Sequence, residues 1–217
     1  MKIALAAALN WFKKALFPDK CLVCCSEGAV LCTTHDRFPA APVIILSSEN
    51  CLTAVYAATD YQHKTVQALI KKLKFGRHKA ALSPIVNRLQ ERVNWDKFEG
   101  YELVPLPLHW SRQHWRGFNQ SALIAQSLAL NTGLKVNHNL KRFKFTRQQA
   151  RLTGPQRLEN LTNAFAWRSY TSPPPKVILI DDVYTTGQTL FAAAKCLRQA
   201  GVKTVVGVVF AHQAKGG

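Results

Sequence analysis

Two apolar runs near the C-terminus limit the fold more than any other feature of the chain. The first is KVILIDDV (Lys176–Val183) and the second TVVGVVFAH (Thr204–His212), with GQTLFAAAKCLRQAG (Gly187–Gly201) between them. A strand that is apolar on successive residues must be covered on both faces. The segment between them has helical spacing and ends at a glycine. Strand, helix and strand in this order make a parallel pair joined by a crossover. Upstream segments repeat the pattern. LTAVYAATDY (Leu52–Tyr61) reads as strand, TVQALIKKLKF (Thr65–Phe75) as helix, ELVPLPL (Glu102–Leu108) as a short buried strand, and GFNQSALIAQSLALNTG (Gly117–Gly133) as a helix stopped by Gly133. The expectation is an α/β fold, a parallel sheet with flanking helices. In such sheets ligands bind beyond the carboxyl ends of the strands.

At that end the first run delivers Asp181 and Asp182, followed by the turn Tyr184-Thr185-Thr186-Gly187-Gln188-Thr189. The turn leads into a helix N-terminus, where free N–H groups and the helix dipole favour an anion. Gly187 permits a tight backbone, and three threonines add hydroxyl donors. Carboxylates repel a phosphate but accept hydrogen bonds from vicinal hydroxyls. Acid pair and anion turn together describe a ribose 5-phosphate.

VILIDDVYTTGQT resembles the phosphoribosyl pyrophosphate (PRPP) motif of type I phosphoribosyltransferases: four apolar residues, two acids, an apolar residue and a T-T-G-x-T loop. Within that superfamily the chain resembles the ComF family of competence-associated, GntX-like proteins. The residues that carry this are VPLPL with RGFNQ (Val104–Gln120), LKF (Leu73–Phe75) and TRQQARLTGPQRLENLTNAF (Thr146–Phe165), together with an N-terminal cysteine cluster. The resemblance implies that Asp181 and Asp182 hold the ribose 2- and 3-hydroxyls. It implies that Thr185, Thr186, Gly187, Gln188 and Thr189 cradle the 5-phosphate. The loop after VPLPL, through Arg112, Arg116 and Gly117, would meet the pyrophosphate, a task suited to the planar guanidinium fork. Mg²⁺ would accompany PRPP, bound by phosphate oxygens and water. If the chain is an enzyme, it is a phosphoribosyltransferase, with Asp181, Asp182 and Arg116 as catalytic residues and an acceptor the sequence does not specify. Its work would be electrostatic and positional. Thr146, Arg147, Gln148, Gln149 and Arg157 fall where related transferases carry a hood that closes over the pyrophosphate. Amidophosphoribosyltransferase activity needs a glutaminase domain with an N-terminal nucleophilic cysteine. The sequence starts Met1-Lys2, so that activity is not expected.

Of six cysteines, Cys21, Cys24, Cys25 and Cys32 fall within twelve residues, and Cys51 and Cys196 stand apart. Cys21-x₂-Cys24 and Cys32-x₂-His35 are two ligand pairs separated by seven residues, a spacing that fits one tetrahedral structural Zn²⁺. Cys25 competes, but ligation by the adjacent Cys24 and Cys25 would strain the turn. ComF relatives usually show four cysteines here, so His35 departs from the pattern. The expected division is 1–42, an N-terminal helix and zinc knuckle, and 52–217, the phosphoribosyltransferase-like domain, with FPAAP (Phe38–Pro42) as linker. The N-terminal MKIALAAALNWFKKALF reads as an amphipathic helix rather than a signal peptide. No run approaches the ~20 apolar residues of a membrane span, and the expected location is cytoplasmic.

Lys and Arg number 29 against 12 for Asp and Glu, a net charge of +17 that favours polyanionic partners. KKLKFGRHK (Lys71–Lys79) and KRFKFTRQQAR (Lys141–Arg151) interleave cations with Phe75, Phe143 and Phe145. Cations tracking phosphates and rings stacking on bases are the means of holding single-stranded nucleic acid. Lys71, Lys72, Lys74, Arg142, Lys144 and Arg147 are the candidate contacts; the alternative is that the rings are core and the charges solvate a face. The resemblance implies a role in natural transformation, a PRPP-binding protein that handles incoming single-stranded DNA. Two other readings stand beside it: a turning-over Mg²⁺-dependent phosphoribosyltransferase, and an adaptor whose zinc unit recruits a DNA-processing partner such as a helicase.

Overall fold

The structure is a computed structural model that describes residues 19–41, 44–45, 51–75, 78–143, 164–168 and 172–213. The expected N-terminal helix, Lys144, Phe145, and the hood residues Thr146, Arg147, Gln148, Gln149 and Arg157 lie outside these residues.

Eight strands are described: β1 (Ile44–Ile45), β2 (Ala54–Asp60), β3 (Glu102–Pro105), β4 (Lys135–Val136), β5 (Leu140–Arg142), β6 (Phe165–Trp167), β7 (Lys176–Tyr184) and β8 (Thr204–His212). The α-helices are α1 (Lys64–Phe75), α2 (Leu82–Arg92), α3 (Trp110–Arg116), α4 (Gln120–Thr132) and α5 (Gln188–Gln199). Six strands form one sheet in the order β1-β2-β8-β7-β3-β4. Five of these, β2 to β4 in that order, are parallel, and β1 closes the edge of β2 antiparallel. β5 and β6 pair antiparallel in a small second sheet. The expected α/β architecture is observed.

The apolar run of β7 is explained by its neighbours. Ile178 and Ile180 enter one core with Val66, Leu69 and Leu73 of α1, Ile85 and Leu89 of α2, and Ile124 and Leu128 of α4. Val177 and Leu179 enter a second core on the other face, with Leu190, Ala193 and Leu197 of α5 and with Leu140 and Phe165 of the small sheet. Side chains alternate between faces along a strand, so both parities of β7 must be apolar. β3 lies beside β7 in parallel register, Pro105 opposite Ile180, so both strands end at the same edge.

The sequence reading omits α2 and α3, and it merges the approach to α4 into one helix. Gly117 and Gly133 explain the boundaries. Gly117, at φ 78°, is the left-handed C-cap of α3, and Gly133, at φ 71°, that of α4. Only glycine takes this conformation without steric cost.

The N-terminal unit is docked, not tethered. Phe38, expected in a linker, is 5% exposed and stands edge-on to Phe210 of β8 at 6.2 Å between ring centroids. Arg88 of α2 covers its face, with Cζ 4.5 Å from the centroid, and donates from Nη2 to the Asp36 carbonyl at 2.7 Å. Thr59 of β2 donates to the Pro39 carbonyl at 2.7 Å. Truncating a buried aromatic costs about 3–5 kcal/mol. Phe38→Ala is therefore expected to lower the unfolding free energy of the whole chain by that order in urea titrations, whereas a linker residue would change it by less than about 0.5 kcal/mol.

Candidate functional site

The acid pair lies near the carboxyl end of β7, and the strand runs on through Tyr184. Asp182 shares the face of Ile178 and Ile180, the side covered by α1, and is 3% exposed. There Lys74, on the last turn of α1, forms an ion pair with its Oδ2. Asp181 is held differently. Its Oδ1 accepts from Ser121 Oγ at 3.0 Å and from the Asp182 backbone N–H at 2.9 Å. Burial first, and then the neighbouring Asp182 charge, push the Asp181 carboxyl up to about 7, against the opposing pull of Lys74, the Asp182 N–H and Ser121. Two adjacent acids thus share one cation and one hydroxyl donor.

Ser121 reaches Asp181 because the segment before it is braced. Asn119 is the N-cap of α4: its Oδ1 accepts from the Ser121 N–H at 3.0 Å, and its Nδ2 donates to the Leu106 carbonyl at 3.0 Å. Leu106 in turn donates its N–H to the Ile180 carbonyl at 2.9 Å. The RGFNQ motif therefore ties the end of β3 to the end of β7. Arg116 Nη1 donates to Gln120 Oε1 at 3.1 Å, and its Cζ sits 5.3 Å from the centroid of Phe75.

After Tyr184 the chain turns through exposed Thr185 and Thr186 to Gly187, the left-handed N-cap of α5 at φ 74°. A Cβ at Gly187 would lie 2.5 Å from Tyr184 Oη and 2.7 Å from Cζ, so the tyrosine ring fills the space a side chain would need. No side chain caps α5. The helix starts four residues after the end of β7, and a helix N-terminus by its dipole favours an anion.

The cysteine cluster converges as the spacing suggested. The ligand atoms of Cys21, Cys24, Cys32 and His35 all lie within 4.8 Å of one another, among them Cys24 Sγ and Cys32 Sγ at 3.8 Å and Cys21 Sγ and His35 Nδ1 at 3.7 Å. Tetrahedral zinc with Zn–S of about 2.3 Å and Zn–N of about 2.0–2.1 Å needs ligand separations of about 3.5–3.8 Å. The set fits, and it could hold zinc. Cys25 is not in the converging group. It takes the left-handed region at φ 63° and is exposed, while its N–H donates to the Cys21 carbonyl at 2.9 Å. Cys32 Sγ lies 3.1 Å from His35 Nδ1, and this contact lowers the thiol to about 6 while raising the imidazole. Burial pushes the Cys21 thiol up, but backbone N–H groups of Cys24, Cys32 and Val23 outweigh it and the net shift is downward. Thiols poised towards thiolate suit metal binding.

Of the basic candidates, Lys71 is exposed and Lys72 half-buried on α1, whereas Lys74 is the counter-ion of Asp182. Arg142 lies on β5 with its Cζ 5.4 Å from the centroid of Phe165. Lys74, the middle residue of LKF, was legible only as a nucleic-acid candidate, and Ser121, directly after RGFNQ, not at all; only the fold brings them to the acids. Cys51 is half-buried and Cys196 buried.

No protein-family model matches the chain. It is 40% identical over 106 residues to "Competence protein F" of Haemophilus influenzae, covering 48% of this chain and 46% of that protein. It is 38% identical over 146 residues to "DNA utilization protein YhgH" of Salmonella typhimurium, 63% of each chain. With "Competence protein ComFC" of Bacillus subtilis it shares 36% over 101 residues, 46% of this chain and 40% of that one. These similarities support membership of the ComF family. The matches span less than two thirds of each of these ComF relatives. Among the described residues, no helix is long and apolar enough to cross a membrane.

Two outcomes test this geometry. Cys21→Ser should lose bound zinc in elemental analysis of the purified protein while Cys25→Ser retains it; equal metal content in both would exclude the ligand set. Asp181 has a folded pKa above the ordinary carboxyl value, so its contribution is fully present at low pH and is lost as pH rises from about 4 to about 7. Relative to Asp181→Asn, the wild type should therefore lose melting temperature across that window, the difference levelling off above about 7.

Proposed function

We propose that the chain is a competence-associated, PRPP-binding protein that handles single-stranded DNA. The observation that supports it best is the placement of Asp181 and Asp182 beside the uncapped N-terminus of α5, at the edge where β3 and β7 both end. In this reading the N–H groups of Thr185 to Thr189 take the 5-phosphate, and the acid pair accepts the ribose 2- and 3-hydroxyls. Lys74 engages one oxygen of Asp182, and its charge offsets the repulsion between paired carboxylates as an anionic ligand enters. Gly187, with the Tyr184 ring against it, keeps the turn close to the phosphate. The residues expected in a loop after β3, Arg112, Arg116 and Gly117, belong to α3 and its C-cap, and in this reading they are assigned to the pyrophosphate. Mg²⁺, where bound, neutralises the pyrophosphate charge from the ligand's side. The zinc unit is proposed as structural, since a closed four-ligand shell leaves no open position.

The names of the relatives, competence proteins and DNA utilization proteins, support the assignment to DNA uptake. The net charge of +17 supports a polyanionic partner. Turnover as a phosphoribosyltransferase is a second reading, favoured by the Asp181–Ser121 arrangement, which fixes a carboxyl group near neutrality where a ribose would sit. We propose residues 1–42 and 52–217 as the functional division, with the first unit docked on the second.

Calorimetric titration of the zinc-loaded protein with PRPP, with and without Mg²⁺, tests the site. Magnesium-dependent binding is expected in the wild type, with a loss of at least about a hundredfold in Asp181→Asn/Asp182→Asn. Each hydrogen bond to a charged acceptor is worth about 1.5–3 kcal/mol, so undiminished affinity in the double variant would remove both acids from the site.

A further inference from the structure

Beyond the loop that follows β3 lies a second concavity, of about 560 Å³, between α3, α4 and the β5–β6 pair. That volume is in the range of small-molecule sites, about 300–1,000 Å³. Its chemistry is unlike that of the acid pair. Among the described residues no Asp or Glu lines it, whereas Lys141, Arg142, Arg168 and His138 do. Two aromatic side chains stand at it from different elements: Trp110 at the start of α3, 70% exposed, and Phe143 just after β5, 46% exposed. Arg168 covers one face of Phe143, with Cζ 4.5 Å from the ring centroid. Gln113 and Gln126 add amide groups that can both donate and accept.

The frame is rigid where it matters. The Phe143 N–H donates to the Ala164 carbonyl at 2.9 Å, and the Arg168 N–H to the Asn139 carbonyl at 2.9 Å, so the Arg–Phe stack is fixed by backbone pairing at both ends of the small sheet. Asn119 and Pro105 also line the concavity. Both belong to the framework that joins the ends of β3 and β7, so the concavity adjoins the acid pair across α4's first turn.

We propose that this concavity binds a nucleotide, its base stacked on Trp110 and on the Arg168–Phe143 pair and its phosphate met by Lys141 and Arg142. A sugar phosphate has no use for the aromatic faces, and an apolar ligand has no use for a wall that carries Lys141, Arg168 and His138. A nucleotide uses both, because every base has a π-face and every phosphate a charge. The inference rests on the DNA-handling part of the proposed function and places the strand at α3 and the small sheet rather than along α1. The same chemistry recognises a free mononucleotide, and the experiment separates the two sources.

Fluorescence anisotropy of a labelled oligothymidylate of about 20 nucleotides, longer than a single such site, is measured with the zinc-loaded full chain. Calorimetry with dTMP and dAMP runs in parallel. The wild type is expected to bind, and Trp110→Ala/Phe143→Ala to bind about tenfold or more weakly, as loss of base stacking requires. Trp110→Phe/Phe143→Tyr should restore most of the affinity, which separates lost stacking from lost fold. Lys141→Ala/Arg168→Ala should flatten the salt dependence of oligonucleotide binding. Mononucleotide binding that depends on Trp110, with no oligonucleotide binding, would uphold the concavity and remove DNA from the proposed function. Oligonucleotide binding lost in Lys71→Ala/Lys72→Ala, with the aromatic variants within about twofold of wild type, would overturn the concavity and leave DNA handling standing. Absence of both ligands from the wild type would overturn it outright. The PRPP titration of the wild type is read separately from all these outcomes.

Discussion

Two neighbouring carboxylates at the buried end of a central strand are expensive, and the surrounding structure is arranged around their compensation. An unpaired buried charge costs several kcal/mol, and two within one dipeptide repel each other. The chain meets this with three devices from three elements: a lysine from α1 on Asp182, a serine from α4 on Asp181, and a carboxyl raised to about 7 that sheds half the charge near neutrality. Each device fixes an element. α1 must end where Lys74 reaches β7, α4 must begin where Ser121 does, and β3 must stop at Pro105 so that Asn119 can brace the turn. The sheet's carboxyl edge is therefore set by electrostatics as much as by packing.

The anion side of the same edge has the opposite logic. α5 starts without a side-chain cap, and Gly187 closes on Tyr184 instead. A capping Ser or Asp would satisfy the first N–H groups and consume the site's capacity for a phosphate. Stability was thus left unclaimed at one helix end, a few residues from acids held by outside partners. A ligand that carries both a phosphate and a diol relieves both conditions at once.

The sheet was legible because its signal is local. β7, α5 and β8 are long, contiguous and bounded by glycine or proline, and their apolar parity admits one arrangement. The four candidate metal ligands were legible for the same reason, since two short turns carry all of them. What escaped was tertiary. Lys74 reads as one more cation in a basic run, and nothing in Leu73-Lys74-Phe75 announces a counter-ion 108 residues away in Asp182. Phe38 opens the proline-containing stretch FPAAP and reads as linker, yet Phe210 and Arg88 receive it. α2, with its apolar residues at Ile85, Val86 and Leu89, has ordinary helical spacing but follows a segment rich in charge, and α3 carries its aromatic side chains outward.

The docked N-terminal unit bears on the site through a shared core. Cys21, Leu31 and Phe38 pack into the cluster that contains Leu69 and Leu73 of α1 and Phe210 of β8. That cluster is what orients the last turn of α1, and with it Lys74. The metal-binding turns are small and bury little on their own, so their folding depends on ligation. The turns that could hold zinc and the helix that carries Lys74, far apart in sequence, thus share one packed core.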